Sequence, residues 1–219
     1  MKNNKQDFFW PSYADLMTSL FFIMLVLYVL TYAILDRTIK AQKKDLAKIT
    51  AIDESLKPLK TNTTTFKYEK DYKRFQLAFN VKFAVDQSEL KFLDAPDLTI
   101  QKIDDAGRQL KSIVDDLKRK KDTDSLLTNV SYILIIAGYA SDFGTVSRNY
   151  ELSHRRALSL WQHWKDIGIN FESSAYDGLI DLQVAGNGTG GVGRVQGNEA
   201  ANQRFLIQIF PKIGDLENR

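Results

Sequence analysis

Residues 12–35 read SYADLMTSLFFIMLVLYVLTYAIL, and the organisation of the whole chain follows from them. Leu16 to Leu35 is a run of twenty residues without a charge, interrupted in polarity only by Thr18, Ser19 and Thr31. As a helix it spans about 30 Å, the thickness of a bilayer's hydrocarbon. Asp15 stands at its head. A carboxylate at that depth costs on the order of 1–3 kcal/mol, so such groups turn towards protein or water and mark ion or proton paths. A second reading has Asp15 snorkelling to the interface, or resting on the positive end of the helix dipole. Thr18 and Ser19 lie three and four positions on and extend the polarity along one face, which a snorkelling acid does not require. A cleaved signal peptide is a third reading. The length of the run, the acid and the lack of a small-x-small cleavage site stand against it.

The rest of the chain bounds the possibilities. It has 219 residues, a net charge of +3 and no cysteine. Roughly 150 residues remain after a linker, enough for one domain with a sizeable core. The mild charge, with lysines interspersed among acids and no basic helix alternating with aromatics, argues against a nucleic-acid partner. Without cysteine there are no disulfides, Cys-based zinc sites or lipoprotein anchor. His154 and His163 fall nine apart on one predicted helix, too far for a shared metal. No nucleophile–base pair is evident, so no enzyme is expected. The glycine-rich stretch from Gly186 to Gly193 lacks a following Lys-Ser/Thr and is expected to be a flexible connection, not a phosphate loop.

Beyond the span, Leu35, Ile39, Gln42, Leu46, Ile49, Asp53 and Leu56 alternate in steps of four and three, with Gln42 and Asp53 as imperfect members. That spacing predicts a short parallel coiled-coil dimer or an amphipathic helix lying on its own domain. Pro58 is expected to end the segment, and the threonine-rich stretch from Thr61 to Thr65 reads as linker. Phe75–Val81 alternates as a strand, and Ile100, Ile103, Ala106, Leu110, Ile113, Val114 and Leu117 mark one face of a long helix. Tyr132–Ala137 is a continuous apolar run, the pattern of a strand buried on both faces. Leu152–Ile167 predicts a second helix with Ala157, Leu160, Trp161 and Trp164 inward, and Ile180–Ala185 and Phe205–Phe210 predict closing strands. The succession argues an α/β sandwich, a mixed sheet with helices packed on it, behind one N-terminal transmembrane helix.

Two sets of residues carry a family resemblance. The run from Ser12 to Thr18 resembles the tyrosine-alanine-aspartate-x-methionine-threonine signature of the B subunits of ion-driven rotary motors, the MotB-type flagellar stators and the Zorya anti-phage system. In the domain, Gly138-Tyr139-Ala140-Ser141-Asp142 followed by Asn149, Leu152, Ser153, Arg156 and Ala157 resembles the central motif of OmpA-like peptidoglycan-binding domains. Phe83 to Leu90 resembles their early phenylalanine-x-x-x-serine-x-x-leucine turn, and Asn202-Gln203-Arg204 their closing triplet. Together these cover residues 75–210.

The resemblance implies that Asp15 carries the coupling ion, with Thr18 and Ser19 lining its route; H⁺ is the expected ion and Na⁺ the alternative. No other cofactor and no resident metal is implied. It implies a homodimer inside a ring of multi-span A subunits, and a domain gripping peptidoglycan. Arg156 would fork onto the diaminopimelate carboxylate, with Asn149 and Leu152 lining the pocket. The family's acid falls on Ser141, with Asp142 one place later. The expected division is 1–10 cytoplasmic tail, 11–35 membrane helix, 36–73 helical linker and 74–213 periplasmic domain, in a bacterial inner membrane. A positive-inside count points the other way, since Arg37, Lys40, Lys43, Lys44 and Lys48 follow the span, but long domains translocate largely regardless of charge. The short tail and the direct run into a heptad-like helix without a separate plug segment lean towards the Zorya type. A flagellar stator subunit and a passive cell-wall tether are the rivals.

Overall fold

The computed structural model describes residues 9–61, 65–72, 74–79, 81–84, 86–190 and 194–213. The chain divides into two compact units, Met1–Thr50 and Ala51–Arg219. Helix α1, Phe9–Thr61, contributes to both.

From Leu20 to Leu30 α1 carries only apolar and aromatic side chains on every face. Its large hydrophobic side chains from Leu16 to Leu35 are exposed, and the helix meets the length and composition of a membrane span. A helix with no polar face is one meant for an apolar surrounding. Thr18, Ser19 and Thr31 return their hydroxyl hydrogens to the carbonyls of Ala14, Asp15 and Leu27 one turn back, which satisfies them without a partner helix.

The second unit takes the last turns of α1 into its core through Ile52 and Leu56. Leu56 belongs to the spacing read above as a heptad, whereas Ile52 stands next to its imperfect member Asp53. An apolar residue every three or four positions serves packing on a domain equally well, and here those two are used for it. Pro58 does not end the helix. It falls in the last turn, and the helix continues for three more residues to Thr61, whose hydroxyl donates to the carbonyls of Lys57 and Pro58.

Strands β1 (Phe66–Glu69), β2 (Arg74–Leu77), β3 (Val130–Gly138), β4 (Ile180–Gly186) and β5 (Phe205–Ile213) form one sheet in the order β1-β2-β5-β3-β4. Only β3 and β4 are parallel, so the sheet is mixed, as expected. Strand β1 lies inside the stretch read as linker. Helices α2 (Pro96–Thr123) and α3 (Val146–Asp166) share a single core with one sheet face. On α2 the buried residues include Ile103, Ala106, Leu110, Ile113, Val114 and Leu117, as the periodicity predicts. The expectation that β3 is covered on both faces is corrected. Tyr132, Leu134 and Ile136 are buried in the main core, while Ile133 and Ile135 on the other face are half-buried, Ile135 packing on a small cluster of Ala137, Tyr139 and Leu206. The buried faces of both helices belong to the main core, which leaves the second face to that cluster alone.

Two glycines set how closely α3 approaches the sheet. Gly138 and Gly186 are direct partners at the ends of the parallel strands β3 and β4. A Cβ on Gly138 would lie 2.1 Å from the Ser153 carbonyl oxygen, and one on Gly186 2.6 Å from the His154 nitrogen. The bare backbone at both positions brings the first half of α3 against the strand ends, where the candidate site lies.

Candidate functional site

The first site belongs to α1. Ser12, Asp15, Leu16, Ser19, Leu20 and Ile23 line one shallow groove along the helix. The Asp15 carboxylate makes no ion pair or side-chain hydrogen bond among the described residues. Ser19 lies beside it and donates to the backbone carbonyl of Asp15 at 2.8 Å; Thr18 lies off that groove and donates to Ala14. Of the expected trio, Asp15 and Ser19 share this groove and Thr18 does not, and the hydroxyl hydrogens of both Ser19 and Thr18 are already taken by the helix.

The second site is assembled at the carboxyl end of β3, where helix α3 begins. Thr145 caps α3, its side-chain oxygen accepting from the Arg148 N–H at 3.2 Å. The next turns place Asn149, Leu152 and Arg156 on one buried face. Arg156 is 1% exposed. Its Nε donates to the Gln87 carbonyl at 3.0 Å, one terminal nitrogen donates to the Tyr139 carbonyl at 3.1 Å, and its guanidinium lies 4.4 Å over the Phe83 ring. Burial pulls its pKa down to about 10, against the raising charge of Asp86. It remains a cation at neutral pH, and Nη2 is the nitrogen left without a partner among the described residues. Arg156 thus ties the Phe83–Leu90 turn to the end of β3 while keeping one donor spare.

Asn149 is 3% exposed and its carboxamide makes no hydrogen bond among the described residues. Buried amides are ordinarily paired, so this group has both donors and its acceptor available. Ser141 is buried with its hydroxyl likewise unengaged, and Leu152 supplies an apolar wall. Asp142 is exposed. Its carboxylate is free, while its backbone N–H donates to Glu199 Oε2 at 2.8 Å. That bond is the leading cause that holds Glu199 below the usual carboxylate range, with Arg194 helping and desolvation opposing.

Other residues complete the walls. Asp86 has a left-handed backbone, φ 59°, and takes both oxygens to Arg148, at 3.0 Å to Nε and 2.8 Å to Nη2. This bond lowers the pKa of Asp86 and raises that of Arg148. The partners are 62 positions apart, so no local pattern reveals them. Tyr139 receives Asn187 Nδ2 on its hydroxyl, and Arg204 lies over its ring. The closing triplet proves to be scaffolding: Asn202 exchanges hydrogen bonds with Val195, and Gln203 accepts from the Phe83 N–H.

The glycine-rich stretch is not a loose connection over its described part. Asn187 donates to Gly138, Ala140 donates to the Gly188 carbonyl, and Gly188 donates to the Ser153 hydroxyl. Residues 191–193 lie outside the described residues. His163 bonds Asp104 across α3 and α2 at 2.6 Å, so it acts between helices.

No family model and no curated protein matches the chain. Among solved structures it is similar to the peptidoglycan-associated lipoprotein from Burkholderia pseudomallei, at 16% identity over 61% of this chain and 92% of that one, TM-score 0.34. The OmpA-like domain of FopA1 from Francisella tularensis matches at 20% identity over 68% of this chain and 79% of that one, TM-score 0.32. A periplasmic domain of Helicobacter pylori MotB matches at 16% identity over 65% of this chain and 86% of that one, TM-score 0.34. At 20% identity or below, these similarities assign no family.

Proposed function

We propose that this protein is the B subunit of a motor driven by a proton gradient across the bacterial inner membrane, of the Zorya anti-phage type. The observation that carries the reading is the Asp15 carboxylate, unpartnered on an otherwise apolar helix at the head of the span. A group that costs free energy in lipid and finds no partner on its own chain calls for one from elsewhere. A ring of multi-span A subunits around paired copies of α1 would supply it, together with a path for the ion. Protonation of Asp15 removes the penalty and deprotonation restores it, so the helix prefers different neighbours in the two states. That difference is what a gradient can turn into movement.

The domain would lie in the periplasm and hold the wall, giving the torque something to react against. Diaminopimelate carries an amine and a carboxylate. The spare Nη2 donor of Arg156 and the idle carboxamide of Asn149 suit the carboxylate, and the free carboxylate of Asp142 suits the amine in place of the absent acid at Ser141. The exposed stripe Leu35, Ile39, Leu46 and Ile49 suits a homodimer. The unbroken course of α1 past Leu35, with no separate segment to plug a channel, favours the defence type over the flagellar one.

The test is Asp15→Asn in cells that also carry the multi-span partner. Inserted protein and wall pelleting should match the wild type, while proton flux into membrane vesicles and protection from phage should disappear. A passive tether would be indifferent to the change. Loss of swimming in place of loss of immunity would assign the flagellar reading.

A further inference from the structure

The loop after β3 and the first turns of α3 carry an apolar patch beside the proposed peptide pocket. Among the described residues of the second unit, Phe143 and Val146 are the two most exposed large hydrophobic side chains, at 71% and 72%, and Tyr150 is 54% exposed. Exposed apolar residues scattered singly are ordinary, whereas a group of them at the rim of a polar pocket marks a surface made for contact. Val146 opens α3, and Tyr150 follows one turn later on the same side. The Tyr150 ring is held from behind. A Cβ on Gly188 would lie 3.0, 3.1 and 3.2 Å from three of its ring atoms, so the ring rests on bare backbone, with φ 58° at Gly188. Ser153 fixes both partners, its hydroxyl accepting from the Gly188 N–H and donating to the Tyr150 carbonyl. The Gly188 carbonyl accepts in turn from Ala140, the residue before Ser141, which places the ring at the edge of the pocket.

The charges around the patch decide what it can hold. Arg148 pairs with Asp86 and Glu151, Arg155 with Glu151, and Arg194 with Glu199, so the ionic groups nearby balance one another, Asp142 excepted. A strongly charged partner meets no opposing field there. Three side chains also fall short of the roughly 800 Å² per partner that a stable protein interface buries. A small neutral ligand with a flat apolar face suits the patch. The ring of an N-acetylated hexose is of that kind, since its hydroxyls lie around the rim and its faces carry C–H groups that the negative face of an aromatic ring attracts. A wall peptide hangs from such a sugar. We infer that Tyr150, with Phe143 and Val146, forms a stacking platform for a neutral N-acetylated sugar of the glycan strand, next to the pocket that takes the peptide. The inference rests on the reading of the domain as a wall binder. It does not depend on the motor.

The full-length protein in detergent is titrated by calorimetry with two ligands. One is a diaminopimelate-containing stem tripeptide, acetylated at its amino end; the other is the same tripeptide on its N-acetylated disaccharide, so that the sugar is the main difference. One stacked ring is worth about threefold to tenfold in affinity. The sugar-bearing ligand should therefore bind about tenfold more tightly, and the advantage should persist in 0.5 M NaCl, where charge contacts are screened (~4 Å Debye length). The combined variant Phe143→Ala, Tyr150→Ala should lose the advantage and bind the bare tripeptide as the wild type does. Tyr150→Phe should keep it, and Phe143→Ala alone, which leaves the Gly188 contact intact, should lose part of it. Equal affinity of the wild type for the two ligands overturns the inference and leaves the wall-binding reading standing. An advantage that survives the combined variant, or one that vanishes in salt, overturns it too. Binding of neither ligand removes the wall-binding reading itself, and the inference falls with it.

Discussion

Replacing Gly138 with alanine adds a single carbon at the place where α3 meets the sheet. That carbon would lie 2.1 Å from the Ser153 carbonyl oxygen and 3.1 Å from the Ala157 nitrogen. A relaxed carbon–oxygen contact is about 3.3 Å, so helix and strand must part by roughly 1.2 Å. The obstructing atoms are backbone, and no side-chain rotation relieves them. Overpacking in a dense core costs about 1–3 kcal/mol, and with two backbones in opposition the upper end applies, about 3 kcal/mol. That is a large share of the roughly 5–15 kcal/mol that holds a domain together. Urea unfolding of the detergent-solubilised protein, followed by near-ultraviolet circular dichroism, reads the change as a lowered midpoint. Gly144→Ala is the reference, since Gly144 has φ 94° and nothing within 4 Å, so only backbone strain changes there. Separation of α3 from β3 would also draw Arg156 from the Tyr139 carbonyl and weaken the proposed wall binding. A Gly138→Ala protein within about 0.5 kcal/mol of wild type, below the usual span for an overpacked core, would refute the close-approach argument.

Asn149→Ala should leave the unfolding midpoint nearly unchanged, because its carboxamide has no partner to lose. In calorimetry, affinity for a diaminopimelate-containing stem peptide should fall about tenfold, the worth of one hydrogen bond to a charged group. Arg156→Lys should cost about 2–4 kcal/mol in urea unfolding. The ammonium cannot make both bonds, to the Gln87 and Tyr139 carbonyls, nor lie flat over Phe83. The Asp86 carboxyl has its pKa lowered by Arg148, so its contribution is present above the ordinary value of 3.8 and is lost as pH falls through the folded-state value. The difference in urea midpoint between wild type and Asp86→Asn should therefore be flat from pH 7 to 5 and shrink below pH 4. A constant difference down to pH 3 would contradict the ion-pair assignment.

Much of this architecture is legible in the sequence where a periodic pattern is long. Seven apolar positions along α2 repeat often enough to leave one reading, and the run Tyr132–Ala137 locates β3. Its second face differs from the pattern, because Ile133 and Ile135 read as core although that face holds only a small cluster. Strand β1 escaped because Phe66–Glu69 is four residues with two charges, the ordinary make-up of an edge strand. Leu56 sits at a position that satisfies a coiled coil and a docked helix alike, and only its burial beside Ile52, which is off the heptad, distinguishes them. In the site, Arg156 was separable from its neighbour Arg155 only through the motif, since adjacent arginines on a helix look the same in one dimension. The Asp86–Arg148 clasp has no local signal, because α2 and β3 lie between its members in the chain.

The entry of α1 into the domain core has a practical meaning for anyone who wants the second unit alone. Cutting at Phe66, where the sheet begins, would strip Ile52 and Leu56 from the packed interior and expose the apolar surface they cover. A soluble fragment should start no later than Ala51, carrying its own piece of the anchor with it.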